Sequence, residues 1–163
     1  MMQLNRRAFS NYSLLALSGV ATSVFAQGDS KIVLGQSAPF SGPSAELGLR
    51  FNEGAQLYFD AINAKGGVHG RQIELRKADD GYEPERTVAN TRKFISDGVL
   101  ALFGYIGTPT TLAALPIASA AKVPLIAPFT GAAGLREPFN RYIIHVRASY
   151  DDETQAIVRH CAS

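Results

Sequence analysis

The residues best able to do chemistry in this chain are hydroxyls on glycine-rich turns, one acidic pair and three scattered histidines. The turns are Ser41-Gly42, Gly104-Tyr105-Ile106-Gly107-Thr108 and Phe129-Thr130-Gly131. Thr108-Pro109 precedes an Ala-rich run, the pairing of a hydroxyl N-cap with proline at the first helical position. A hydroxyl and free N–H groups at the positive end of a helix dipole can hold a carboxylate without Lys or Arg. Each such dipole contribution is worth about 0.3–1 kcal/mol when exposed. Leu47, Tyr105 and Phe129 could supply apolar walls to that site. The alternative is that Thr108 only caps its own helix and the aromatic residues fill the core.

Other chemistries find less support. Asp79-Asp80 could assist an acid–base reaction, but no second group of matching role accompanies it, and such pairs more often close a turn through side-chain to backbone bonds. His69, His145 and His160 are far apart and show no metal-ligand spacing; His145, between Ile144 and Val146, reads as a structural strand residue. Gly35-Gln36-Ser37-Ala38-Pro39 approaches a nucleophile elbow, but Pro39 replaces the last glycine. No phosphate-binding glycine motif follows a strand. The expectation is a protein that is not an enzyme and uses no cofactor and no metal.

Placing these turns requires strands and helices in alternation. Strands are expected at Lys31 to Ala38, Gln72 to Ala78, Val99 to Phe103, Val123 to Ala127 and Tyr142 to Val146. The first helix runs from about Ala45 to Ala64, with Leu47, Phe51, Ala55, Tyr58 and Ile62 as its buried face. Pro84 opens the second, with Val88, Thr91 and Ile95 turned inward; Thr108-Pro109 opens the third, which Pro116 should kink or shorten; Asp151-Asp152 begin the fourth. The right-handed crossover rule folds this order into an α/β domain, a parallel sheet with helices on both faces. All three turns then fall on the C-terminal edge of the sheet, where such folds bind ligands.

Residues 1–26 read as a cleavable export signal: Arg6 and Arg7, an apolar stretch from Tyr12 to Val24, and Val24-Phe25-Ala26 as the cleavage site. Asn5-Arg6-Arg7-Ala8-Phe9 also resembles a twin-arginine motif and leaves the export route open. No Cys follows the cleavage site to be lipidated, so a soluble product with no stable membrane insertion is expected. Two of the 16 Lys+Arg residues lie in the leader, leaving 14 against 14 Asp+Glu. That balance gives no electrostatic footprint for nucleic acid. The remaining 137 residues, 27–163, suffice for one core, and Cys161 alone cannot form an internal disulfide.

Several stretches together resemble one family. Ile32-Val33-Leu34-Gly35 with Pro39-Phe40-Ser41-Gly42-Pro43 is similar to the opening of the type I periplasmic binding proteins, the leucine/isoleucine/valine-binding group. Asp60-Ala61-Ile62-Asn63-Ala64-Lys65-Gly66-Gly67-Val68-His69-Gly70 resembles that group's D-I-N-A-K-G-G-I-x-G stretch. Asp79-Asp80 with Pro84, then Gly104 to Thr111, then Val123 to Pro128, follow in the family's order and spacing.

The resemblance implies a two-lobed receptor in the periplasm that closes on an amino acid or similar small solute and delivers it to an ABC permease. It implies that Thr108 and Thr111 stand where the family's ligand-gripping loop carries hydroxyls, that Thr130 belongs to the second carboxylate-holding loop, and that Tyr150 lies near the crossover between lobes. Leu47 stands where branched-chain binders usually carry an aromatic residue, which departs from leucine-like specificity. The chain ends inside the helix that leads to the second lobe, so residues 27–163 are expected to form an N-terminal lobe, apparently truncated, that alone binds weakly. A ligand-sensing module of a receptor or regulator is the alternative class; an exported enzyme is the third.

Overall fold

The computed structural model describes residues 31–162; the leader expected at 1–26 lies outside them. Five parallel strands, β1 (Ile32–Ala38), β2 (Ile73–Asp79), β3 (Ala101–Phe103), β4 (Leu125–Ile126) and β5 (Ile143–Ile144), form one sheet in the order β2-β1-β3-β4-β5. Four α-helices follow β1, β2, β3 and β5 respectively, α1 (Ala45–Asn63), α2 (Pro84–Ser96), α3 (Thr108–Ala120) and α4 (Tyr150–Cys161), while a short 3-10 turn (Ala133–Leu135) lies between β4 and β5. The expected α/β architecture is therefore present. Its strand order reverses between β1 and β3, the point where doubly wound sheets open a crevice at their C-terminal edge.

Adjacent residues of β1 reveal which helix covers which face, because successive side chains point to opposite sides of a sheet. Gly35 faces α2: a Cβ there would lie 2.6 Å from the Phe94 ring. Gln36 faces the other way, and its Oε1 accepts a 2.7 Å hydrogen bond from Asn52 of α1. Thus α1 covers one face, while α2 and its neighbour α3 cover the other. Between the sheet and these two helices sits the main core, with Phe94, Leu102, Tyr105, Leu115, Leu125 and Leu135 at its centre.

Several local expectations are corrected. The inward stripe of α1 runs through Gly48, Phe51, Ala55, Phe59 and Ile62, whereas Leu47 and Tyr58 are exposed. In α2 the fully buried positions are Thr87, Thr91 and Phe94. The strands β3, β4 and β5 are shorter than their apolar runs: β3 lacks Val99 and Leu100 at its start, β4 lacks Val123, Pro124 and Ala127, and β5 lacks Tyr142, His145 and Val146. Pro116 does not end α3, which continues to Ala120. It sits on the exposed side, where the carbonyl it cannot bond reaches water. His145 lies just past β5, its Nε2 3.1 Å from the Leu135 carbonyl oxygen, and burial pushes its pKa down.

Candidate functional site

The C-terminal edge of the sheet carries the loops that follow the five strands, and hydrogen bonds order them. In the β1–α1 loop Asp79, the last residue of β2, is the organiser. Its Oδ1 accepts from the N–H groups of Phe40 (2.8 Å), Ser41 (3.1 Å) and Gly81 (2.9 Å). Its Oδ2 accepts from Ser41 Oγ at 2.6 Å and Arg86 Nη2 at 2.8 Å. Partial burial raises the pKa of Asp79, but the donors from Ser41, Phe40, Gly81 and Arg86 outweigh it and hold the carboxyl well below the usual carboxylate range. Asp80 turns inward, fully buried, and accepts from Ser37 Oγ at 2.7 Å, Thr87 Oγ1 at 3.1 Å and Tyr82 N–H at 2.9 Å. Its pKa is pushed up by burial, against those three donors. The acidic pair is thus saturated with donors and does the turn-holding work its position suggests.

The β3–α3 loop is fixed from three sides. Gln36 Nε2 donates to the Gly104 carbonyl at 3.2 Å, and Phe51 fills the space where a Gly104 side chain would stand. At Gly107 (φ 101°) the Tyr82 ring lies 2.6 Å from where a Cβ would be, so this left-handed position needs glycine twice over. Thr110 Oγ1 donates to the Ile106 carbonyl at 2.6 Å and Thr111 Oγ1 to the Gly107 carbonyl at 2.6 Å. Gly107, rather than Thr108, is the N-cap of α3. The Thr108 hydroxyl is therefore not spent on capping its helix.

That hydroxyl meets the loop after β4. Phe129 N–H donates to the Tyr105 carbonyl at 2.7 Å, and a parallel bridge joins Ile106 to Phe129. The two loops thus lie side by side, and Thr108 Oγ1 stands 2.7 Å from Thr130 Oγ1. Thr130 Oγ1 is 3.3 Å from the Tyr150 phenol oxygen and accepts from Ala132 N–H at 3.3 Å. Tyr150 opens α4, and its N–H donates to the Gly131 carbonyl at 2.9 Å. The bond to Thr130 leads the causes that lower the Tyr150 phenol's pKa; burial opposes it, and Gly131, Thr108 and the Arg147 charge assist.

Of the residues singled out in the sequence, the structure brings Thr108, Thr130, Phe129 and Tyr150 into one cluster at the N-terminus of α3. Ser41 lies on the neighbouring loop, and Leu47 on the exposed first turn of α1. Tyr105, Ile106 and Thr111 are placed differently: all three are buried in the core at 1% exposure or less. Tyr105 is therefore no cleft wall; its phenol bonds Thr91 Oγ1 at 3.0 Å, and burial pushes its pKa up. Sequence reasoning missed Tyr82, Arg86 and Arg147. Only Tyr82 left a signal, as an aromatic residue directly after the Asp79-Asp80-Gly81 turn.

The hydroxyls bond one another and a backbone N–H, with no imidazole or carboxylate among their partners. Such a chain can turn donors toward an anion beside the α3 dipole but offers no base to activate a nucleophile. Among the described residues no group of three metal-ligating side chains occurs, and no helix is long and apolar enough to cross a membrane.

Residues 31–163 match the family model described as periplasmic binding protein. The chain belongs to that family. A relative from Pseudomonas aeruginosa, the leucine-, isoleucine-, valine-, threonine-, and alanine-binding protein, is 32% identical over 117 residues, covering 72% of this chain and 31% of that protein. Among solved structures, a possible leucine/isoleucine/valine-binding protein from Rhodopirellula baltica is similar at a TM-score of 0.75 and 41% identity, over 80% of this chain and 36% of that one. The branched-chain amino acid transporter substrate-binding protein LivJ from Streptococcus pneumoniae, in complex with isoleucine, is similar at 0.68 and 32%, over 73% of this chain and 34% of that one. The chain thus spans about a third of the length of these relatives.

Proposed function

We propose that this chain is the N-terminal lobe of an exported solute-binding component of an ABC transporter, taking amino acids or related small amide and carboxylate solutes. The observation that carries the reading is the Thr108–Thr130–Tyr150 hydroxyl chain at the N-terminus of α3, on the edge where the strand order reverses. A solute carboxylate would be held there by hydroxyls and helix N–H groups, with Phe129 and Leu47 as apolar neighbours and Ser41 on the adjoining loop. Membership of a family of substrate-binding proteins supports binding over catalysis, and the relatives' names support amino acid-like ligands. In this reading residues 1–26 direct export to the periplasm, residues 27–163 form the lobe, and an inner-membrane ABC permease is the partner.

A partner for a ligand's amino group contributes on the order of 2–5 kcal/mol when buried, so contacts to the carboxylate alone hold a solute more weakly than contacts to both ends. The test is amide chemical-shift mapping of the chain with a panel of amino acids and their amides at millimolar concentration. The expected result is saturable shifts at Thr108, Thr130, Gly131 and Tyr150 that Thr108→Ala removes. Shifts confined to another face, or none at any concentration reached, would refute the proposal.

A further inference from the structure

Arg147 stands out because its charge is paired with Glu153 while its guanidinium lies beside two rings of the hydroxyl cluster. Its Nε and Nη2 donate to the two carboxylate oxygens of Glu153 at 2.7 Å each, a bidentate pair. Its guanidinium lies 5.2 Å from the Phe129 ring centroid and 5.2 Å from that of Tyr150. Both distances are within the range of cation–π attraction, in which Arg is the commoner partner. The backbone is clamped as well: Arg136 Nη2 donates to the carbonyl oxygens of Arg147 (2.8 Å) and Ala148 (3.0 Å).

Held at both ends, the guanidinium is a fixed planar body touching two rings of the hydroxyl cluster. Phe129 is also braced by Phe51, with ring centroids 5.4 Å apart. Tyr150 has no such second brace in the ring contacts of the described residues. An exposed tyrosine costs side-chain entropy to hold in one orientation, and its 3.3 Å bond to Thr130 is a weak restraint.

We infer that Arg147 is a positioning residue of the cleft: locked by Glu153 and stacked against Phe129 and Tyr150, it sets the Tyr150 phenol on Thr130 and does not itself bind the solute's carboxylate. The importance of that placement for binding rests on the solute-site reading above; the placement itself does not. Lys cannot substitute, since an ammonium offers neither the planar fork nor the flat face.

The experiment uses the full chain labelled with 13C at tyrosine Cζ and 15N at arginine Nε, with Tyr150→Phe giving the assignment. The expected wild-type result is Arg147 side-chain protons displaced upfield by the two rings, and a Tyr150 phenol titrating below the ordinary tyrosine value. Arg147→Ala moves that titration upward, and Arg147→Lys recovers only part of the difference. Arg147 protons at their unperturbed positions in the wild type, or a Tyr150 titration identical in wild type and Arg147→Ala, would overturn the inference. No ligand enters either readout, so its failure and that of the solute-binding proposal are separable.

Discussion

Thr108 Oγ1 and Thr130 Oγ1 stand 2.7 Å apart across 22 residues of sequence, a side-chain contact that joins the loop after β3 to the loop after β4 beside their backbone bridge. It forms because the backbone of Gly107 caps α3 and leaves the Thr108 side chain free to turn sideways. Each hydroxyl has one proton and two lone pairs. Thr130, 1% exposed, sits in the middle and receives Ala132 N–H as well, which leaves it one proton and one lone pair for Thr108 and Tyr150.

Thr130→Val keeps the shape of that side chain and removes its hydroxyl. Thr108 is half-buried and Tyr150 exposed, so their hydroxyls can turn to water, and the expected loss is about 1 kcal/mol rather than the full cost of a buried orphan. The Tyr150 phenol should titrate higher, because the bond to Thr130 is the first of the influences that lower it. Thr130→Ser should restore both. Urea denaturation and tyrosine Cζ titration are the measurements; an unchanged pair of values in Thr130→Val would mean that the hydroxyl chain does not form in solution.

Tyr105→Phe tests the placement of Tyr105 in the core. The variant leaves Thr91 Oγ1 with its 2.7 Å bond to the Thr87 carbonyl, so no buried hydroxyl is orphaned. A loss of about 0.5–1.5 kcal/mol is expected, with no change in the amides that respond to solute. Loss of the solute response without loss of stability would return Tyr105 to the cleft.

Two glycines of α1 should respond with opposite signs. A Cβ at Gly54 meets nothing within 4 Å, so Gly54→Ala should stabilise by about 0.5–1 kcal/mol through helix propensity. At Gly48 a Cβ would overlap the Pro39 carbonyl oxygen, a backbone atom that cannot rotate away. Gly48→Ala should therefore cost about 1–3 kcal/mol by overpacking. Equal effects in denaturant midpoints would mean that α1 does not pack against the β1–α1 loop this closely.

The order of elements was legible because each rests on local chemistry: the apolar run Ile32-Val33-Leu34, Pro84 and Pro109 at helix starts, Gly66-Gly67 at a helix end. What the sequence concealed was phase and distance. The stripe Leu47, Phe51, Ala55, Tyr58, Ile62 has helical spacing, yet the close approach of Gly48 to Pro39 rotates α1 so that Phe59 packs inward and Tyr58 faces water. Thr108 was readable as a helix-start residue, but whether its hydroxyl caps the helix or stays free was not, because a φ of 101° at Gly107 is a tertiary outcome. Thr111 and Tyr105 look like cleft residues by their neighbours in sequence, whereas their hydroxyls bond to the Gly107 carbonyl and to Thr91. Arg147 meets Phe129 only once α4 and the β4 loop are packed together. No spacing rule reaches that far.

The acidic pair yields a prediction with a definite sign. The folded pKa of Asp79 is depressed, so its contribution to stability is present above the unfolded value of about 3.8 and is lost as pH falls through the folded value. The folded pKa of Asp80 is raised, so its protonation on acidification works in the opposite direction. The difference between two chains therefore isolates Asp79 better than the wild-type curve alone. Asp79→Asn keeps one oxygen for the N–H groups of Phe40, Ser41 and Gly81 but gives up the acceptor that serves Ser41 Oγ and Arg86. At pH 7 the variant should be less stable by about 1–3 kcal/mol. Toward pH 3 the gap should narrow, because the unfolded wild-type chain takes up a proton at Asp79 that the folded chain does not, while the amide of the variant does not titrate. Urea denaturation of both chains at intervals from pH 7 to pH 3 measures it. A gap that stays constant over that range would mean that Asp79 holds the β1–α1 loop through shape alone and not through its charge.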